Sequence, residues 1–292
     1  LIFREHSVEA LLAALGAPKL VAVPADAQPS TERPRSLTPG KGNSGAYIWS
    51  MATLEPNKVR EIETAEASKD APHAWTKPFG PEWGFHYWGK WQTIAFALYS
   101  LDLERGSSVL DVGAGGGWTT IFLAESGFRS VGVDIAPAHI EVAKQRAARY
   151  GSSAEFLVRD MDALALDRSF DGALVFDALH HSLRPAQVVE RVAAHLRPAG
   201  WVLFAEPSWL HDLSPGARRV SKQMGWVEKG VRVRSLKQHC SAAGLGNFRR
   251  FYEGTAPYAG GVQDLGWQAA RLLGARLSTA PQMSVWLAAQ KL

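Results

Sequence analysis

Asp111-Val112-Gly113-Ala114-Gly115-Gly116-Gly117 sets an acid two residues ahead of three alternating glycines. Glycines in such a turn let the backbone approach a ligand with no Cβ in the way. The dinucleotide spacing G-x-G-x-x-G needs a glycine at 118, which is Trp118, and no G-K-[ST] follows. An acid beside the loop suits an amino group better than a pyrophosphate. Asp134 follows nineteen residues beyond Gly115, where an acid hydrogen-bonds a ribose diol in doubly wound nucleoside sites. Asp160-Met161-Asp162 then offers a carboxylate for an exocyclic adenine amine and an apolar side chain for the ring. Two imidazoles, His180 and His181, come shortly after Asp177, and Glu206-Pro207 lies farther on. A hydroxyl nucleophile must lose its proton, and histidine titrates nearest neutral pH. His181 is the expected base and His180 a group that shapes the pocket. Glu206 is expected to orient a substrate hydroxyl or amine. The competing readings are a structural His capping the next helix and a surface strand-end acid. Adjacent histidines without a third ligand at suitable spacing rarely converge on one ion, so no metal is expected.

These groups need a sheet to position them. Short apolar runs at Val109–Val112, Ser130–Val133, Glu155–Val158, Gly172–Phe176 and Trp201–Ala205 read as strands. Helical patterns at Thr119–Ser126, Ala138–Tyr150 and Ala186–Leu196 fall between them. That alternation predicts βαβ units and a parallel sheet whose site lies at the carboxyl ends of its strands. Beyond Glu206 the pattern predicts a helix over Ser235–Ala243, a strand near Phe248–Tyr252, a helix over Val262–Leu277 and a last strand Met283–Ala289. Ahead of the sheet, Trp91–Leu101 has helical spacing within an aromatic-rich stretch holding Trp49, Trp75, Phe79, Trp83 and Phe85. Pro24–Gly45 is rich in Pro, Ser, Thr and Gly and reads as a linker. The expected organisation is an extension and linker over 1–45, an aromatic lid over 46–105 and a binding domain over 106–292.

The 292 residues are 46% hydrophobic and 21% charged, enough to bury a core and against global disorder. No apolar run approaches the roughly 18 residues that span a bilayer. One cysteine, Cys240, excludes a disulfide framework and a Cys-rich zinc site, and points to a reducing, cytoplasmic compartment. Val8–Ala17 reads as a short amphipathic helix rather than a secretory signal, because Glu5 and Glu9 stand where a signal carries positive charge. The net charge is +4, yet Ala217–Lys237 holds seven basic residues against Glu228 alone. A solvated helix face is the simpler reading of that cluster, with nucleic acid the alternative.

The glycine loop, Asp134, the Asp160 region, Phe170-Asp171 and Leu196-Arg197-Pro198-Ala199-Gly200 occur in the order of a known family. Over residues 106–206 the chain resembles a class I S-adenosylmethionine-dependent methyltransferase of the small-molecule branch, and Leu245-Gly246 with the last two strands resembles that family's closing hairpin. The resemblance implies a seven-stranded, doubly wound, mostly parallel Rossmann-like α/β sheet with an N-terminal helical lid, and S-adenosylmethionine as cofactor. By the same resemblance Gly113, Gly115 and Gly117 line the methionine moiety and Asp111 approaches its ammonium. Asp134 and Ile135 hold the ribose side, Asp160 and Met161 flank adenine, and Asp177 faces donor or substrate. A helix-cap or turn role competes for Asp111 and Asp171. The region of His86, Tyr87 and Trp88 is expected to fold over the site and meet substrate. The implied reaction is methyl transfer to a small-molecule hydroxyl, with the aromatic lid favouring a saccharide or natural product. C-methylation of a quinone-like ring, nucleic-acid methylation and a non-catalytic donor-binding module are the alternatives. A homodimer, or association with an upstream domain, is compatible with the chain.

Overall fold

The computed structural model describes residues 54–78, 87–251 and 284–292. Contacts divide the chain into Leu1–Ile48 and Trp49–Leu292, and the described residues all belong to the second unit. The helix expected at Val8–Ala17, the Pro24–Gly45 linker, the Val262–Leu277 helix, His86 and the aromatics Trp49, Phe79, Trp83 and Phe85 lie outside them.

Seven strands form one sheet: β1 (Ser108–Val112), β2 (Arg129–Asp134), β3 (Glu155–Val158), β4 (Phe170–Phe176), β5 (Leu196–Pro207), β6 (Leu245–Phe251) and β7 (Ser284–Lys291). Their order is β3-β2-β1-β4-β5-β7-β6. The first five are parallel, and β7 inserts antiparallel between β5 and β6. The expected doubly wound sheet and its closing hairpin are both present. After β3 the chain crosses back to lay β4 beside β1, so the order reverses between those strands and opens a crevice at their carboxyl ends.

Eight helices of the described residues are α1 (Pro56–Ser68), α2 (Pro72–Thr76), α3 (Trp88–Ser100), α4 (Trp118–Glu125), α5 (Pro137–Tyr150), α6 (Pro185–Ala194), α7 (Pro215–Met224) and α8 (Val233–Ala242). Proline at the first turn of α1, α5 and α6 starts each where its missing N–H costs nothing. Gly151 closes α5 in the left-handed conformation.

Because strand side chains alternate, each central strand feeds two cores. Leu110, Val112, Val175 and Phe204 face one side with Val188, Val189 and Val192 of α6 and Leu236 of α8. Val109, Leu174, Phe176 and Leu203 face the other, with Ile94, Ala97 and Leu98 of α3 and Trp118 of α4. Each fully buried Leu, Ile or Val contributes roughly 1.5–3 kcal/mol, so the crevice is carried on a rigid base. No helix among the described residues is long and apolar enough to cross a membrane.

Candidate active site

The loop between β1 and α4 hangs on β2, with the N–H groups of Gly113 and Ala114 both donating to the Val133 carbonyl. Gly113 has φ +75°, and a Cβ there would stand 2.3 Å from Ala178 Cβ, so the loop after β4 closes against this glycine. Gly115 faces open space. Gly113, Gly115 and Gly116 line a cleft of about 390 Å³, within the usual size for a ligand site. Gly117 corrects the expected pattern. At φ +80° it caps α4, and a Cβ there would collide with Ala143 and Phe156, so it serves helix–sheet packing rather than the ligand.

Asp111 is the second correction. Alternation along β1 turns it beneath α4, where Oδ2 accepts the Thr119 and Thr120 hydroxyls at 2.5 and 2.6 Å. It is 1% exposed, and burial pushes its carboxyl up to about 6 against the pull of those hydroxyls. The group braces the loop from below and does not wall the cleft. Asp171 is neither a turn acid nor a helix cap: it is the second residue of β4, where it accepts from Ser108 and pairs with Arg197, away from the cleft.

Asp134 ends β2 at the cleft wall. Its Oδ2 accepts the Gly115 N–H at 2.9 Å and its Oδ1 the Ala136 N–H at 2.9 Å, with His139 Nδ1 at 3.2 Å. Burial alone would raise its pKa, but His139 and the two backbone donors hold it below the usual carboxylate range. Ile135 and Met161 line the cleft beside it. A glycine loop open to the cleft, an ionised acid at the end of β2 and an apolar floor together fit the amino-acid, ribose and adenine parts of S-adenosylmethionine.

Helix α1, which the sequence pattern does not disclose, covers the cleft with Lys58, Glu61, Thr64, Ala65 and Ser68. Lys58 Nζ lies 2.7 Å from Asp160 Oδ2 and 2.5 Å from Asp162 Oδ2, all three residues being buried. The Asp160 carboxylate expected at the adenine amine is therefore tied to the covering helix. Glu61 Oε1 stands 4.0 Å from His181 Nδ1; burial first, then the charge of Asp134, pushes its carboxyl up to about 8. Arg146 of α5 reaches across to the carbonyls of Gly116 and Lys77, joining the loop to the chain after α2.

On the opposite wall stand Asp177, Ala178, His181 and Trp226. Asp177 has φ +53°, a conformation that non-glycine residues adopt mainly as Asn or Asp. Burial would raise its pKa, but Lys90, Lys77 and the two histidines hold it low. His180 Nδ1 is bonded to Glu206 Oε2 at 2.8 Å. Glu206 Oε1 meanwhile accepts the N–H groups of Ala178 and Leu179. At 2% exposure Glu206 is a clamp under the histidine turn, which corrects its expected place at the cleft mouth. Burial pulls the His180 pKa down, yet Glu206, Asp177 and Glu228 raise it above the ordinary histidine value. His181 Nδ1 donates to the Val227 carbonyl at 3.0 Å, while burial and the His180 charge hold it down at about 4.

Glu228 is the group that the sequence reading missed. Its carboxylate lies 3.7 Å from His180 Nε2 and from His181 Nδ1, and 2.8 Å from His211 Nε2. The two histidines thus have the third partner that their spacing alone does not reveal. Tyr87 is also corrected. It is 8% exposed and packs edge-on to Trp118 at 5.6 Å beneath Lys77 and Lys90, within the core rather than on the cleft wall. Only the backbone of Trp88 is described, as the first residue of α3.

Residues 109–200 match the family described as a methyltransferase domain. Over those residues the chain is therefore similar to a methyltransferase domain, in keeping with its resemblance to class I S-adenosylmethionine-dependent methyltransferases. Among curated relatives, the ubiquinone biosynthesis O-methyltransferase of Idiomarina loihiensis is 33% identical over 133 residues, covering 43% of this chain and 53% of that protein. The protein of the same name from Coxiella burnetii is 29% identical over 154 residues, covering 52% and 64%. The chain therefore spans about half to two-thirds of the length of these relatives. The phosphoethanolamine N-methyltransferase 2 of Haemonchus contortus, solved with S-adenosyl-L-methionine, superposes with TM-score 0.54 at 16% identity, over 78% of this chain and 59% of that one. The [4+2]-cyclase SpnF superposes with TM-score 0.50 at 18% identity, over 70% and 80%. A fold shared with a cyclase does not specify a reaction, so the reaction must be argued from the site.

Proposed function

We propose that this protein transfers the methyl group of S-adenosylmethionine to a hydroxyl of a small molecule, and that the acceptor is a phenol-type ring. The observation that carries the reading is one cleft with two unlike walls. Gly113, Gly115, Asp134 and Met161 form the donor side, and Asp177, His181 and Trp226 the acceptor side. Bound there, S-adenosylmethionine supplies an electrophilic methyl on a sulfonium. The chain's own residues hold, orient and deprotonate. Asp134 holds the ribose diol, the glycine loop approaches the amino-acid portion, and Met161 packs on adenine under α1. Because His181 Nδ1 donates to a carbonyl, its Nε2 carries the lone pair that takes the acceptor proton as the new O–CH₃ bond forms.

Two observations favour a flat phenolic acceptor over a saccharide. The relatives' name specifies ubiquinone biosynthesis and O-methylation. Among the described residues of the aromatic segment that suggested a sugar platform, Tyr87 and Trp91 are packed away: Trp91 stacks on Trp118 with centroids 6.1 Å apart, and Tyr87 meets the edge of the same ring. The indole of Trp226, set edge to face against His181 at 5.9 Å, remains at the acceptor wall. A single buried thiol suits the cytoplasm.

The test is formation of S-adenosylhomocysteine from S-adenosylmethionine with a catechol, a simple phenol or a sugar as acceptor. Turnover is expected with the aromatic hydroxyls. His181→Ala should lower it by roughly 10²–10⁴-fold while affinity for S-adenosylhomocysteine stays within about twofold, since the residue touches the acceptor side. Parallel loss of affinity and turnover in that variant would make His181 a structural residue, and turnover confined to the sugar would sink the phenolic reading.

A further inference from the structure

His180, His181 and Glu228 each present one ligand atom, and these atoms all lie within 4.8 Å of one another. Their arrangement is more than proximity. His180 Nε2 is 3.7 Å from one Glu228 oxygen and His181 Nδ1 is 3.7 Å from the other. Ligands bound tetrahedrally at about 2.1 Å stand about 3.4 Å apart, so a turn of the Glu228 carboxylate together with a closing of the two imidazoles from within 4.8 Å would bring the three onto one ion. The remaining nitrogen of His180 is already fixed by the buried Glu206 carboxylate at 2.8 Å. A carboxylate behind the imidazole is how metal-bound histidines are oriented and made better donors. Glu206 itself is anchored by the N–H groups of Ala178 and Leu179, so His180 Nε2 is aimed at Glu228 by a rigid base.

We propose that His180, His181 and Glu228 bind one divalent transition-metal ion in the acceptor wall of the cleft. Two imidazoles and one carboxylate are a zinc-type donor set rather than the all-oxygen cage that magnesium or calcium takes. Three protein ligands leave a position open, the arrangement of a catalytic rather than a structural site. Binding exchanges the hydrogen bond from His181 Nδ1 to Val227 for a ligand bond. It also gives the Glu228 carboxylate, which now faces three imidazoles, a full positive partner. Of the three ligands His181 lines the cleft, and the open position is placed on its side. There it takes the acceptor's hydroxyl oxygen, lowers that hydroxyl's pKa and sends the proton to solvent; the oxygen then bonds the methyl carbon as the S–CH₃ electron pair returns to sulfur. This last step alone rests on the hydroxyl-methylation reading. In the loaded protein the ion does the work that Nε2 of His181 does in the metal-free one.

The test uses tag-free, chelator-treated protein, with Co²⁺ as spectroscopic probe and Zn²⁺ in equilibrium dialysis. One equivalent of each should bind, Co²⁺ giving the visible absorption of a low-coordinate nitrogen–oxygen site and Zn²⁺ displacing it. Glu228→Gln and His181→Ala should each weaken uptake at least tenfold, and Glu206→Gln roughly 10–100-fold as an outer-shell partner. Each variant is compared only if it still binds S-adenosylhomocysteine, which shows that it is folded. Absence of saturable uptake by the wild type, or uptake unchanged in both Glu228→Gln and His181→Ala, overturns the site. Methyl transfer by protein that takes up no ion refutes the site and leaves the proposed reaction standing. Uptake without transfer to any hydroxyl supports the site and sinks the reaction.

Discussion

Replacing Lys58 by Met keeps the length and apolar body of the side chain and removes one buried charge. Lys58 Nζ stands 2.7 Å from Asp160 and 2.5 Å from Asp162, and the three side chains are 9%, 6% and 2% exposed. Without the ammonium, two carboxylates remain buried side by side. Taking one partner from a buried pair costs about 3–5 kcal/mol. Here two acids lose the same cation, but each keeps a donor: Asp160 Oδ1 accepts the Asp162 N–H, and Asp162 Oδ1 accepts the Ser182 hydroxyl at 2.6 Å. A loss of about 3–5 kcal/mol is therefore expected, which for a unit of this size lowers Tm by roughly 6–20 °C. The loss should be flat through neutral pH. Burial pulls the Lys58 pKa down, but bonds and charges from Asp160 and Asp162 raise it above the ordinary 10.5. A raised base stabilises fully below its unfolded pKa, and that contribution disappears only as pH climbs through the folded value. Scanning calorimetry on Lys58→Met, Asp160→Asn and the double variant checks this, since removing both partners should recover more than about 1 kcal/mol relative to the sum. A Lys58→Met protein melting within about 2 °C of wild type would show the pair to be solvated and α1 not docked on the cleft.

Asp134→Ala should raise the dissociation constant for S-adenosylhomocysteine by roughly 10–150-fold, the about 1.5–3 kcal/mol of hydrogen bonds to a charged group, read by titration calorimetry. A change below about twofold would remove the ribose from the end of β2. Cys240 is fully buried and its thiol is pushed up to about 12 by that burial, so an aromatic disulfide reagent should leave native protein untouched and titrate one thiol in denaturant. Prompt reaction in native buffer would contradict the packing of α8 on the sheet.

The sheet was legible because buried parallel strands are short, nearly continuous apolar runs and because glycine and proline punctuate the helices between them. Where boundaries moved, the cause is local. β5 begins at Leu196 rather than Trp201, since Leu196 pairs with Phe170 ahead of a register shift and Arg197-Pro198-Ala199-Gly200 reads as a plain turn. α1 left no pattern to read. The residues it turns to the cleft include Lys58, Glu61 and Thr64, and a helix that covers a polar cleft has no apolar stripe to reveal it. The aromatic segment failed in the opposite way, because residue type shows that a ring wants burial but not whether a core or a ligand buries it. Tyr87 and Trp91 went to the core around Trp118.

The acids of the site show how far sequence carries and where it stops. Asp111 and Asp134 both stand at the end of a parallel strand beside the glycine loop. Asp111 is the penultimate residue of β1 and Asp134 the last of β2. One step along a strand reverses the face, and a count from Val109, which meets α3 and α4, already sends Asp111 under α4 to the threonine hydroxyls. Alternation supplies that correction once the face of Val109 is known. Glu206 and Glu228 were not available in this way. They reach His180 from β5 and from the chain beyond α7, across sequence separations that no spacing rule spans, and only the folded sheet sets their carboxylates on the two nitrogens of one imidazole. The glycine loop and Asp134 stand close together in the chain and can be read as a motif. The wall of His181 and Trp226, with Glu206 and Glu228 behind it at His180, is built from distant segments and has to be seen folded.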